Sequence, residues 1–460
     1  MKRERVVVVG GGVGGYPAAL RAASLGASVT LIEKERIGGV CLNKGCIPTK
    51  VFLQSAWLYE ETKRSSLFGV TTGKVGINFS KVLARKNRIV DRLTAGVTSL
   101  LKHNKVSVLK GTAAFRDAHS LEIIDTGEVV TGDKFILATG STPALVKIAG
   151  STNVRILTSD DLLRMDSLPS SLLIIGGGYI GVELGQFYSR MEVTVSIVEM
   201  LNRIIPTEDE EISRALQAAL ENEGINIFTQ STVESIEKAG NNKKVTLATP
   251  DGKREIVASE VAQSVGRIPY YAGMNVEKVG VRIERGRIVV NDKMETNIPH
   301  VYAVGDVTGG IMLAHVAMAE AGCAARNALG YQVSLPYHAV PRCVYTSPEV
   351  AGVGLTEENA REERGAVKVS RFPFHAIGRA LVEEEPEGMI KIVADKKHGE
   401  VLGVHIIGPH ATELIAEAVL AIEMEVTVEE LAHTMHPHPT LSEGMGEAAM
   451  MLCGGALHLP

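Results

Sequence analysis

The chain has 460 residues, 45% of them hydrophobic, which is enough apolar material for roughly two to four domains. Lysine and arginine total 48 against 53 aspartate and glutamate, a formal charge of -5, and that balance excludes a basic nucleic-acid footprint. No apolar run reaches the roughly 20 residues of a membrane-spanning helix, and Val6–Val9 is too short for the core of a secretory signal, so a cytoplasmic protein with no membrane or nucleic-acid partner is expected. Five cysteines are too few and too scattered for a secreted disulfide framework. The unusual number is 47 glycines, about a tenth of the chain against a usual 7%, and they are clustered.

The first cluster follows a β-branched strand, Arg5–Val9. Gly10, Gly12 and Gly15 form G-x-G-x-x-G, Ala18–Ala23 reads as a helix, and Val29–Ile32 as a second strand ending at Glu33. This is the order of a βαβ unit whose glycines let a pyrophosphate approach a helix N-terminus, with the acid placed for an adenosine ribose. The same grammar returns later. Leu172–Ile175 is a strand, Gly176, Gly178 and Gly181 repeat the fingerprint, and Val193–Val198 ends at Glu199. Glu33 and Glu199 each stand 23 residues after the first glycine of their cluster, Gly10 and Gly176. A lone fingerprint is weak evidence, since glycines often mark only tight turns. Two copies in the same context with the acid in register predict two dinucleotide sites.

Lys134–Gly140 and His300–Asp306 read as further strands, and Leu313–Leu329 as a helix of small residues. The last ninety residues change character, with strands over Met389–Ala394 and Val401–Ile407, a helix over Thr412–Glu425 and no third fingerprint, so they form a separate domain. The acidic runs Glu208–Glu211 and Glu383–Glu385 are simplest as solvated faces.

Between the first fingerprint and its second half lies GGVCLNKGCIPTK. Cys41 and Cys46 flank four residues, and a helix expected after Pro48 puts Cys46 near a helix start, where the dipole favours thiolate. Two unrelated buried cysteines are the bland alternative. A zinc pair would need further ligands, and Cys323, Cys343 and Cys453 stand singly, with Cys323 in the core of a helix. A redox-active disulfide fits better beside a flavin-type fingerprint. Near the C-terminus, His438 and Glu443 are five apart, with His436 two residues earlier. A carboxylate holds an imidazole in one tautomer and raises its basicity. Prolines on both sides of His438 forbid a regular helix, and taken alone a surface turn is the simpler reading. A dithiol that must lose protons near neutral pH supplies the need for a base.

GGVCLNKGCIPTK, ATGS at 138–141, VGD at 304–306, GVHIIGPHATELI at 403–415 and HPHPTLSE at 436–443 together resemble the pyridine nucleotide–disulfide oxidoreductases over essentially the whole chain. The resemblance is nearest to the branch that oxidises protein-bound dihydrolipoyl groups with NAD. It implies an α/β fold of two Rossmann-like dinucleotide-binding domains plus a C-terminal α+β dimerisation domain, with an FAD domain over 1–145, an NAD domain over 146–268, a central domain over 269–338 and an interface domain over 339–460. Carried over by position, Cys41 is the thiol that meets substrate and Cys46 the thiol that faces the flavin. Lys50 lies beside the flavin and pairs with Glu183. Thr139, Gly140 and Asp306 belong to the FAD site, Asp306 meeting the ribityl chain, and Gly266 is a further cofactor-binding residue. Tyr179 lines the nicotinamide pocket, His438 is the base and Glu443 orients it. The family's histidine serves the disulfide of the other subunit, which implies a homodimer, and a lipoyl-bearing carrier of a 2-oxo acid dehydrogenase or glycine cleavage complex as partner.

The chain departs from the family pattern at Val40, at Lys44, whose charge between the cysteines is placed either to favour thiolate or to disturb partner docking, and at Ile268. Related NADPH-dependent reductases of glutathione or mercuric type are the alternative. Glu199 would repel a 2′-phosphate, only Arg203 lies near to bind one, and Cys453 lacks the adjacent cysteine of the mercuric type.

Overall fold

The computed structural model describes residues 3–459. The chain folds as two compact units. The first holds the residues up to Val51 with Ser80–Ala144 and Gly266–Pro336, and the second holds Phe52–Phe79, Leu145–Val265 and the residues from Tyr337 on.

In the first unit five parallel strands stand in the order Val301–Ala303, Lys134–Leu137, Arg5–Val9, Ser28–Glu33, Ser107–Lys110. Val8 lies between Ile136 and Leu31, and Val6 to Val9 are all buried, which is why this strand reads as an unbroken apolar run. The helix Gly15–Ser24 buries Ala18, Ala19 and Ala22 against the sheet. Small residues allow that approach, and Gly15 makes it obligatory: a Cβ there would stand 1.7 Å from the Gly10 carbonyl oxygen. Gly10 itself, at φ +100°, would drive a Cβ to 2.3 Å from Ala138 O.

The second unit repeats the design. Its parallel sheet runs Asn226–Phe228, Thr194–Val198, Ser171–Ile175, Glu260–Gln263, Leu157–Thr158, and a Cβ on Gly181 would lie 2.0 Å from Gly176 O. In each sheet the fingerprint follows the strand where the order reverses, so the loop opens at the crevice where open α/β sheets take their ligands. The same unit contains an antiparallel sheet in the order Arg342–Val344, Glu349–Gly354, Val401–Gly408, Met389–Asp395, Val367–Pro373. The helices Ala411–Glu423 and Glu443–Cys453 close one face of it. Ile415, Ala418, Met445 and Ala448 pack there with Phe372, Ile390, Val404 and Ile406, each large apolar side chain contributing roughly 1.5–3 kcal/mol by burial.

Most expected elements lie within two residues of the observed ends. The strands expected over 134–140 and 300–306 stop at Leu137 and Ala303, because Gly140 at φ +73° and Gly305 at φ +71° leave extended geometry. Cys46 begins its helix, Cys46–Arg64, rather than preceding it. The acidic run Glu208–Glu211 is no solvated face, since Glu208 and Asp209 are 1% and 2% exposed. Asp209 accepts from Lys391 Nζ at 2.8 and 3.0 Å and caps the helix Glu210–Asn222. Arg342 Nε donates to Glu208 at 3.0 Å. Both cations come from the antiparallel sheet, more than 130 positions on. Among the described residues no helix is long and apolar enough to cross a membrane.

Candidate active site

Cys41 lies on a short helix, Gly39–Lys44, that docks on the first fingerprint. The Gly38 N–H donates to Gly11 O at 2.8 Å, and a Cβ on Gly39 would come within 2.6 Å of Gly12 Cα, so the thiol's helix and the dinucleotide loop share one close packing. Gly45 turns the chain and Cys46 opens the next helix. The structure brings the two cysteines together. Their mutual hydrogen bond pushes the Cys41 thiol far above its ordinary pKa, burial adds to this, and the positive charge of Lys50 opposes it. Lys50 is four residues past Cys46, one helical turn, and so on the same face. Tyr16, which the motif reading did not single out, lies near enough for Cys41 to help burial raise its phenol pKa. Lys44 does not serve the thiols as expected: its ammonium is paired with Glu35.

Glu33 Oε2 accepts from the Gly11 N–H at 2.6 Å, and Oε1 from the Glu35 N–H at 2.7 Å. Glu199 repeats this, accepting from Gly177 at 2.7 Å and Leu201 at 2.8 Å. In both copies the backbone fixes the carboxylate at the turn, and each oxygen keeps a lone pair for a hydroxyl donor such as a ribose. That donor set fits two dinucleotides. Arg203, the nearest base to Glu199 in sequence, is turned to Pro206 O at 3.3 Å and Glu358 at 3.8 Å.

In the first unit the remaining expected cofactor-site residues make the following contacts. Thr139 Oγ1 donates to Tyr270 O at 2.5 Å, Tyr270 N–H returns a bond to Gly140 O at 2.9 Å, and Gly266 O accepts from Ala144. Ser141 donates to Asp306 and accepts from Arg267 Nε at 2.7 Å, while the buried Glu320 accepts from the Gly305 N–H at 2.6 Å. Ser141, Arg267 and Glu320 escaped the sequence reading. Ser141 sits inside ATGS and Arg267 beside Gly266, but only folding shows that they hold Asp306. In the second unit, Tyr179 opens the helix Tyr179–Arg190 and donates to Glu208 at 2.6 Å. Glu183 is buried and accepts from the Tyr345 N–H at 2.9 Å. Ile268 is half exposed.

His438 and Glu443 are also brought together. His438 Nδ1 is 2.7 Å from Glu443 Oε1, whose other oxygen accepts from the Thr440 N–H at 2.8 Å. A carboxylate can only accept here, so Nδ1 carries the proton and Nε2 presents its lone pair, the tautomer of a base. Burial pushes the Glu443 carboxyl up, but Thr440 and His438 outweigh it and hold it below the ordinary range. The imidazole is 78% exposed. His436 differs: Nε2 meets Glu417 Oε1 at 2.8 Å and Nδ1 meets Thr434 O at 3.0 Å. Both partners are acceptors, so satisfying them takes the imidazolium, and the bond to Glu417 raises its pKa. His436 anchors the loop through both ring nitrogens, while His438 is left with the geometry a base needs.

The pyridine nucleotide-disulphide oxidoreductase family profile matches residues 4–321, and the profile of that family's dimerisation domain matches 340–449. A dihydrolipoyl dehydrogenase of Thermus scotoductus is 44% identical, covering 100% of this chain and 99% of that one. One from Bacillus subtilis is 41% identical, covering 98% of each. A leghemoglobin reductase of Glycine max is 39% identical, with 97% of this chain and 87% of that one covered. Among solved structures, LpdA from Mycobacterium tuberculosis superposes with a TM-score of 0.89 at 30% identity over 98% of this chain and 99% of that one. The HOCl-induced flavoprotein disulfide reductase RclA from Escherichia coli does so at 0.87 and 27%, over 97% and 99%.

Proposed function

The chain belongs to the pyridine nucleotide-disulphide oxidoreductase family, and from that premise we propose that it acts as a dihydrolipoyl dehydrogenase in the cytoplasm. It oxidises the dithiol of a protein-bound dihydrolipoyl group to the cyclic disulfide, with FAD and NAD as cofactors. The observation that supports this most is the Cys41–Cys46 pair, held in mutual contact at a helix start, docked on a dinucleotide loop and facing the charge of Lys50.

The chemistry starts with the pair as a disulfide. His438 Nε2 takes a proton from one substrate thiol, a general-base effect of roughly 10²–10⁴-fold. The thiolate attacks Cys41 Sγ, a mixed disulfide forms and Cys46 leaves as thiolate, favoured by Lys50 and the helix dipole. The second substrate sulfur then attacks its partner sulfur in the mixed disulfide, its proton passing to Cys41 as that sulfur departs. The substrate has lost two electrons and two protons, and the cysteine pair has gained the electrons. When bound, FAD relays those two electrons from the cysteine pair to NAD.

Glu33 would hold the adenosine ribose of FAD and Glu199 that of NAD, with Asp306 set by Ser141 and Arg267 for the flavin's ribityl chain. The dimerisation domain at 340–449 supports a homodimer in which His438 serves the disulfide of the other subunit. A carrier from a 2-oxo acid dehydrogenase or glycine cleavage complex would deliver the lipoyl group.

Steady-state assays of the flavin-loaded protein test the reading against its relatives. Turnover of dihydrolipoamide with NAD is expected. Turnover confined to glutathione disulfide or Hg(II) with NADPH would move the chain to another branch of the family.

A further inference from the structure

The Tyr179 phenol sits at the first position of the helix behind the second fingerprint. Among the described residues it makes two polar contacts. It donates to Glu208 Oε1 at 2.6 Å and meets Thr207 Oγ1. The phenol has one proton, which goes to the carboxylate, so the Thr207 hydroxyl donates to the phenol oxygen. Burial, first, and the Glu208 charge, second, push the phenol pKa well up and keep that proton in place.

Glu208 is an expensive residue to keep. It is 1% exposed, its Oε1 is shared by Tyr179 and Arg342 Nε, and its Oε2 is buried with no hydrogen-bond partner among the described residues. Such an orphan in a native interior calls for an explanation. The carboxylate lies over Gly352, where a Cβ would come within 2.7 Å of Oε2, 2.9 Å of His405 Nδ1 and 3.4 Å of Arg342 Nη2. His405 is fully buried, and its Nε2 is 2.9 Å from Leu355 O. Nε2 must therefore donate, and burial keeps the ring neutral, so Nδ1 offers only a lone pair. His405 cannot compete for the carboxylate. Arg342 anchors Glu208, and Gly352 leaves the room it occupies.

We propose that Glu208 is a positioning residue for Tyr179: carried on Arg342 and seated over Gly352, it fixes the ring at the entrance to the second dinucleotide site and so sets the affinity for NAD. This rests on the function proposed above, in which that site takes NAD.

The test measures the dissociation constant of NAD by equilibrium dialysis against the flavin-loaded protein, and KM and kcat in the dihydrolipoamide assay. Glu208→Ala and Tyr179→Phe should each weaken NAD binding and raise its KM about tenfold, with kcat changed less than about threefold, and the double variant should be no worse than either single. Gly352→Ala, which removes no polar group but displaces Oε2, should reproduce the loss. Glu208→Gln keeps an acceptor for the phenol and should recover binding to within about threefold of wild type. Additive single effects, NAD binding unchanged in a Glu208→Ala protein that retains FAD, or a glutamine variant no better than alanine would overturn the proposal. A wild-type protein that neither binds NAD nor turns over dihydrolipoamide would overturn the functional reading itself.

Discussion

Glu33 and Glu199 illustrate how much a single side chain decides. Each is pinned by two backbone N–H groups, so it cannot swing away from an incoming ribose. At Glu199 a 2′-hydroxyl can donate to the carboxylate, whereas a 2′-phosphate meets like charge. Catalytic efficiency with NAD should therefore exceed that with NADP by about a hundredfold or more, and near-equal values in steady-state assays would contradict the site. A second residue-scale prediction concerns His436. Its pKa is raised in the fold, so the native state binds the proton more tightly than the unfolded chain. The stabilisation is complete below the ordinary value of 6.5 and fades as pH rises through the raised one. Glu417→Gln should thus lower the thermal midpoint more at pH 5.5 than at pH 9. An equal loss at both would mean that His436 is not the cation in the pair.

At the scale of elements, the two fingerprints act separately because each lies in its own sheet. Gly15→Ala would force a Cβ to 1.7 Å from Gly10 O, and Gly181→Ala one to 2.0 Å from Gly176 O, so either helix must back away from its strand. The first change should release FAD, read from the visible absorbance of the purified protein. The second should retain FAD and lose NAD binding. FAD lost from Gly181→Ala, or kept by Gly15→Ala, would contradict the assignment. The fingerprint elements are legible because their logic is local: strand, turn, helix and acid follow within 29 residues. The Ser141–Asp306 and Glu208–Arg342 contacts join residues 165 and 134 apart, and local pattern is blind to such pairs. The acidic run at Glu208 therefore reads as surface until Arg342 and Lys391 arrive from the C-terminal sheet. The helix Phe79–His103 carries no glycine signal, though Val90, Thr94, Val97 and Leu101 bury one face at helical spacing.

For the whole molecule, the proposed base His438 and the proposed disulfide lie far apart in sequence, and in the proposed homodimer each site would draw on two chains. His438→Gln and Cys41→Ser homodimers should then each be nearly inactive. Subunit exchange between them makes half the dimers hybrids, each with one intact site, and activity should recover to roughly a quarter of wild type. Glu443→Gln should be milder than His438→Gln, since it removes the orienting bond at Nδ1 and leaves the base. No recovery after confirmed exchange would place His438 in the same subunit as its disulfide. The most direct test of the central claim is to count and locate thiols. The flavin-loaded protein is treated anaerobically with one equivalent of dihydrolipoamide per protomer, then alkylated, digested and mapped. Labelling should appear at Cys41 and Cys46 only after reduction, and NAD added before the alkylating agent should abolish it. Labelling that is the same with and without dihydrolipoamide, or that falls instead on Cys343 or Cys453, would contradict the assignment of Cys41 and Cys46 as the redox pair.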